Sequence, residues 1–271
     1  MTSADAEEQP RGVLHYRQAA DRFTLERRAP DARLAELVEF YWQVRWDLRR
    51  RPPYEQQVLS HPNLHLVFEQ SGAEVHGVNR GLFVRRLEGS GQVLGIKFRP
   101  GGFHPFWRRP VQELADRVLP ATELFGPAVA DAGRRILAGT DPDTMAVLAD
   151  AFLLDRLPPA DPLVPQVAAM VDTASADRSV LRVEQLAARC QVSVRTLQRL
   201  FAEYVGAGPK WVLRRARLQE AALRADAGSV DWPLLAADLG YADQAHLTRD
   251  FTAVVGLPPA HYAAPAHNAP R

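Results

Sequence analysis

Two hydrophobic periods divide this chain. Between residues 41 and 98 apolar positions fall in short runs that alternate with polar ones, the two-residue period of half-buried strands. Tyr41-Trp42-Gln43-Val44-Arg45-Trp46 is the clearest run, being aromatic and β-branched. Further strands are expected at Gln57–Ser60, Leu64–Glu69, Glu74–Val78, Leu82–Leu87 and Val93–Phe98. Glycines and prolines punctuate them (Pro62, Gly72, Gly81, Gly89, Pro100), which points to an all-β sandwich or small barrel. Ahead of them Leu34, Leu37 and Val38 keep helical spacing, so a short helix is expected over 31–40. After Phe106-Trp107 the period becomes helical. Helices are expected at Val111–Asp116, Pro127–Ala138, Pro142–Leu157 and Pro165–Ser175, and Pro158-Pro159-Ala160-Asp161-Pro162 breaks the chain between its halves.

From about Ser175 onward one small device occurs twice. In the first copy Val183, Leu186, Ala187 and Cys190 form the apolar stripe of a short helix. Gln191-Val192-Ser193 interrupts it, and Ser193 is placed to cap a second helix whose stripe is Leu197, Leu200, Phe201 and Tyr204. At about 100° per residue, Arg195, Gln198 and Arg199 lie opposite that stripe. In the second copy Leu235, Ala236 and Leu239 line the first helix, Gly240 makes the turn, and Asp243 caps a helix buried through Leu247, Phe251 and Val254. Ala245, His246 and Arg249 point the other way, flanked by Gln244 and Thr248. Each copy is a helix-turn-helix, the form in which a second helix presents polar side chains to a major groove. Residues 209–226 join them as one helix of roughly 25 Å at about 1.5 Å per residue, a plausible spacer for grooves about 34 Å apart.

These features resemble a known family. The stretches LQRLF (197–201), GPKWVLRRARLQEA (208–221), LAADLGYADQAHLTRDF (235–251) and GLPPAHY (256–262) are similar to the DNA-binding domain of AraC/XylS transcription regulators. Ala245 and Leu247 stand where that family often has Ser and Phe. The resemblance implies a regulator bound to double-stranded promoter DNA, a homodimer that engages RNA polymerase, under control of a small-molecule effector or a partner acting on the amino-terminal β domain. With no run of about 18 apolar residues and a polar, acidic start, the protein is expected to be soluble and cytoplasmic. It implies base contacts from Arg195, Gln198, Arg199, Ala245, His246 and Arg249. A guanine edge suits each arginine, at about 1–3 kcal/mol of discrimination per bidentate pair, and adenine suits Gln198. Thr196, Gln244 and Thr248, near helix N-termini, and Lys210, Arg214, Arg215 and Arg217 on the linker helix are expected at phosphates. The duller reading of the linker arginines is a solvated helix face. In the amino-terminal half HPNLHLVFE (61–69), Val75-His76-Gly77 and GIKFRPGGFHPFW (95–107) are similar to the cupin-like β domain of one AraC-type subgroup.

Composition narrows the alternatives. The net charge of +1 decides nothing about nucleic acid, although basic residues slightly outnumber acidic ones after 175. A single cysteine, on an apolar stripe, excludes an internal disulfide and a cysteine-based metal cluster, and with them a DNA-repair methyltransferase. No Gly-x-Ser-x-Gly elbow or phosphate-cradling glycine loop is present. His61, His65, His76 and His104 raise the alternative of a metal-dependent cupin-type enzyme, but His61 and His65 flank Pro62 at a spacing unsuited to a tight pair, and no metal or other cofactor is expected. A purely protein-binding first half is the other alternative. Trp42, Trp46, Phe68 and Phe98 are candidate walls of a ligand pocket, with Arg99 as an anion contact at its mouth; plain core is the competing reading of the aromatics.

The expected architecture is α+β: a polar disordered tail (1–11), a cupin-like β domain (12–108), its helical extension (109–157), a linker (158–174) and an all-α DNA-binding domain (175–264).

Overall fold

The computed structural model describes residues 12–19, 21–228 and 230–263, so the expected tail at 1–11 lies outside the described residues. Strands β1 (Thr24–Arg28), β2 (Val38–Asp47), β3 (Tyr54–Val58), β4 (His65–Glu69), β5 (Gly72–His76), β6 (Phe83–Leu87), β7 (Ser90–Phe98) and β8 (Val118–Pro120) form two antiparallel sheets. One is six-stranded in the order β1-β2-β7-β4-β5-β8, the other is the β3-β6 pair.

Alternation along the strands explains the layering. In β2, Tyr41 and Gln43 turn to one face, where the Tyr41 hydroxyl donates to Asp150 Oδ1 at 2.6 Å. Helices α3 (Ala128–Leu137) and α4 (Pro142–Leu154) cover that face and bury Leu66, Phe68, Ile96 and Phe98 against Met145, Phe152 and Leu153. Short helices α1 (His104–Trp107) and α2 (Thr122–Phe125) pack Phe106, Trp107, Leu124 and Phe125 against the same core. The opposite face, carrying Trp42, Val44 and Trp46, looks toward β3 and β6 across a cavity.

Two expectations need correction, and one strand was not foreseen. The helix over 31–40 is only a 3-10 turn, Ala32–Leu34, because pairing of Val38 with Phe98 and Phe40 with Lys97 draws the rest into β2. The β domain does not end at 108: β8 pairs Val118, Leu119 and Pro120 with His76, Val75 and Glu74, so the sheet runs into the supposed helical extension. Strand β1, TLERR, has too much charge to read as a strand, and holds its place as a charged edge.

The carboxy-terminal half is helical: α5 (Leu163–Ala176), α6 (Val183–Arg189), α7 (Val194–Leu200) continued by a π turn at Phe201–Val205, α8 (Pro209–Ala227), α9 (Trp232–Asp238), α10 (Gln244–Val255) and α11 (Pro259–Tyr262). One core gathers Leu186, Leu197, Leu200, Phe201 and Val212 with α5. A second gathers Leu218, Ala221, Leu235, Leu247 and Phe251, and receives Leu14 and Leu59 from the β domain.

Candidate nucleic-acid interface and interior cavity

Both helix-turn-helix units are built by local chemistry. Ser193 Oγ accepts the Thr196 amide at 3.1 Å and Asp243 Oδ1 accepts the His246 amide at 2.7 Å, so each second helix starts on a side-chain cap. The second residue after the first helix is left-handed in both: Gln191 at φ 56° and Gly240 at φ 71°. Leu197 and Leu200 in α7, and Leu247, Phe251 and Val255 in α10, are buried; Val255 rather than Val254 fills the last buried position.

The outward set divides sharply. Arg195, Gln198 and Arg199 on α7, and Gln244, Ala245, His246 and Arg249 on α10, are exposed. The three arginines have no hydrogen bond or ion pair among the described residues, and exposed Lys210 has none either. His246 is steered by an edge-on contact with Tyr241 at 5.1 Å. Thr196 and Thr248 are half-buried, the Thr196 hydroxyl accepting from Ser193 Oγ.

The linker arginines are a different matter. Arg215 is 2 % exposed, and its Nη2 donates to the carbonyl oxygens of Arg80 at 2.6 Å and Gly81 at 3.0 Å. It cannot reach a phosphate, and burial lowers its pKa to about 10. Arg214 makes a two-point ion pair with Asp250, both distances 3.0 Å. Arg217 lies half-buried over the Tyr241 ring at 4.8 Å. The phosphate expectation is thus wrong for Arg215, while Arg214 and Arg217 are half-buried and engaged by Asp250 and the Tyr241 ring. Helical spacing could not reveal this, since their partners come from α10, from Tyr241 in the turn before it and from a loop of the β domain. Arg182, which the spacing did not single out, is exposed where α6 begins.

The cavity in the β domain has a volume of about 320 Å³. Trp42 and Trp46 stand in its wall, with Phe83, Val44 and Leu25. Phe68 and Phe98 are not: both are fully buried on the opposite, helix-facing side of the sheet. Arg99 is not at its mouth either, since its Nε donates to the Ala35 carbonyl at 2.7 Å. The register explains the difference. Trp42 pairs with Gly95 and Gly95 with Val67, so Phe68, one residue on, faces away. The missing signal was the pair of glycines: a Cβ on Gly95 would fall 2.0 Å from the Trp42 ring, and on Gly91 2.5 Å from the Trp46 ring. Both indoles lie across bare backbone.

Polar groups collect at one end. Lys97 is 8 % exposed, its Nζ 3.0 Å from Glu39 Oε1 and 4.8 Å from the centre of the Phe40 ring. His65 Nδ1 accepts from Trp42 Nε1 at 3.1 Å, and burial with the nearby Lys97 charge pushes its pKa down to about 3. His76 is paired with Glu74 at 3.2 Å. Among the described residues no group of three or more His, Cys, Asp or Glu side chains is arranged to hold a metal ion.

One wall of the cavity is shared. Val13 and Val58 form a bridge and face the cavity, as do Ser60 and His61. The residues between, Leu14 and Leu59, insert into the core around α8. Gln219 of α8 donates to the Leu59 carbonyl at 2.7 Å. A second contact joins the halves at His104, whose ring lies 4.0 Å from that of Tyr204 and whose Nε2 is 3.1 Å from Glu203 Oε1.

Residues 186–264 match the family model of a helix-turn-helix domain, and residues 26–120 match that of a domain of unknown function, DUF6597. The carboxy-terminal domain is of the AraC type. With it, the chain is a DNA-binding transcription regulator. Most of the chain is similar in fold to apo and other crystal forms of ToxT from Vibrio cholerae. An apo variant has 11% identity over 87% of this chain and 98% of that one, with a TM-score of 0.43. A ToxT structure from strain O395 has 9% identity over 89% and 96%, with a TM-score of 0.42. The AraC-like transcriptional activator CuxR has 15% identity over 76% and 89%, with a TM-score of 0.23. No curated protein matches the chain. Among the described residues no helix is long and apolar enough to cross a membrane.

Proposed function

We propose that the AraC-type domain reads promoter DNA through α7 and α10, and that occupancy of the β-domain cavity controls it. In this reading Arg195, Gln198 and Arg199 meet base edges in one major groove, and Ala245, His246 and Arg249 meet them in the next. Thr196, Lys210, Gln244 and Thr248, with Arg182, sit toward phosphates. The protein works in the cytoplasm as a homodimer and engages RNA polymerase. The supporting observation is the division among arginines: those on α8 are spent on the protein, while Arg195, Arg199 and Arg249 are exposed and unengaged. An exposed arginine with no internal partner is free to give up water for a guanine edge.

Control follows from the shared wall. Val58 and Ser60 face the cavity while Leu59 packs beneath α8, so a ligand that displaces the strand end moves a residue of the DNA-binding core. Such a ligand shifts the population of domain arrangements by its difference in affinity for them.

The DNA-reading half is tested by selecting bound sequences from a random duplex library and then measuring Arg199→Ala on the selected and on a scrambled site. Loss of one bidentate contact is expected to weaken the selected site about ten- to hundred-fold and the scrambled one by less than about three-fold. Equal losses on both would remove Arg199 from base reading.

A further inference from the structure

The cavity floor has a polar end and an apolar end, set by register. Phe40, Lys97, His65 and His76 are paired one to the next across β2, β7, β4 and β5, so their side chains form a single row on the cavity face. The next rows carry Trp42, Val67, Val44 and Val93, all apolar and all facing the same space.

The polar row offers donors without matching acceptors. His65 Nδ1 receives the Trp42 indole N–H, so in the neutral ring the proton sits on Nε2, which has no partner among the described residues. Lys97 uses one of its three N–H groups on Glu39. The carboxylates nearby are taken: Glu39 by Lys97 and Asn63, Glu69 by Arg85, Glu74 by His76 and Asp116 by Arg80. Arg27, at the rim, stacks over Phe40 at 4.7 Å and has no carboxylate partner among the described residues. A cationic ligand would find every nearby carboxylate already engaged, and a polyol would leave most of its own hydroxyls against hydrocarbon.

We propose that the cavity takes an organic anion, with a carboxylate or similar oxyanion received by Lys97 Nζ and His65 Nε2 and an apolar body lying along Trp42, Val44 and Trp46. The proposal rests on the cavity being the regulatory site. Charge-assisted hydrogen bonds in a partly dry pocket are the strong kind, so the head group should dominate selectivity while the body supplies burial.

The test uses full-length protein and calorimetric titration with 2-naphthoate and octanoate, each against its matched alcohol. Acids are expected to bind about ten-fold or more tightly than the alcohols. Lys97→Met and His65→Phe should each weaken the acids far more than the alcohols and so remove most of that preference. Lys97→Arg, which keeps the charge, should retain it. Circular dichroism shows which variants fold, and His65→Phe decides alone if Lys97→Met does not. Alcohols binding as tightly as acids, or a preference that survives in the folded variants, would overturn the anion class while leaving the cavity a ligand site. Failure of all four compounds to bind would overturn both, and would leave the DNA-reading residues to their own test.

Discussion

At Gly240 two demands meet on one residue. Its φ of 71° is left-handed, and a Cβ there would fall 2.5 Å from the side chain of Leu181, which stands just ahead of α6. Gln191 makes the equivalent turn in the first unit at φ 56°. Gly240→Gln should therefore cost more than about 1 kcal/mol in urea denaturation, from backbone strain and overpacking together. Gln191→Gly should stay within about 1 kcal/mol, since relief of strain offsets added chain entropy. A reversed order would mean that Leu181 yields freely. Histidine protonation belongs to this scale too. The folded protein keeps His65 neutral down to about pH 3, whereas the unfolded chain protonates near its ordinary value of 6.5. Between those values the unfolded state binds more protons, so stability is full above pH 6.5 and falls as pH drops through the window. Burial shifts His15 and His76 in the same direction. His65→Phe should flatten, without abolishing, the fall in melting temperature measured from pH 7 to pH 4.

Strand β7 shows how an element can be shaped by what it lacks. Gly91, Val93, Gly95 and Lys97 face the cavity, and the two glycines give the indoles of β2 room to lie against the sheet. Glycine inside a strand weakens it, so the space gained has to serve something. Gly95→Val should push the Trp42 ring into the cavity, lowering stability by about 1–3 kcal/mol. Binding of any apolar probe should fall with it, while affinity for a selected DNA site in the absence of ligand stays within about two-fold, since Trp42 is remote from Arg195, Arg199 and Arg249. Unchanged probe binding would show that ligands enter elsewhere. The linker helix α8 teaches the converse lesson. Its hydrophobic positions were legible, but its basic residues looked like one exposed stripe, and three of them turned out to hold α10, Tyr241 and a β-domain loop.

For the whole molecule, the two halves share walls as well as a chain. Leu14 and Leu59 lie in a helical core, Arg215 and Gln219 of α8 donate to carbonyls of the β domain, and Tyr262 donates to Asp226, whose carboxylate also accepts the His15 amide. Unfolding of the full chain is expected as one calorimetric transition. Arg215→Met leaves the Arg80 and Gly81 carbonyls without their donor, at about 1–3 kcal/mol for each group left dry. With Gln219→Leu added, the single transition should split into two. One sharp transition in the double variant would show that apolar contact alone couples the halves.

Much of this was determined by the sequence alone, because it depends on neighbours in the chain. The caps at Ser193 and Asp243, the left-handed turn at Gly240, the stripes of α7 and α10 and the outward Arg195, Arg199 and Arg249 are all consequences of spacings of a few residues. Strands β4 to β7 were legible for the same reason, whereas β3, expected at Gln57–Ser60, lies at Tyr54–Val58. Tertiary structure decided whatever depended on register and on partners far along the chain. It turned Phe68 and Phe98 away from the cavity and brought Lys97 beside His65. It recruited Val38 into a strand and Val118 into the sheet, and withdrew Arg215 from solvent. A side chain's direction relative to its own element can be read from periodicity, but what lies in that direction is set by contacts between elements, which no local pattern encodes.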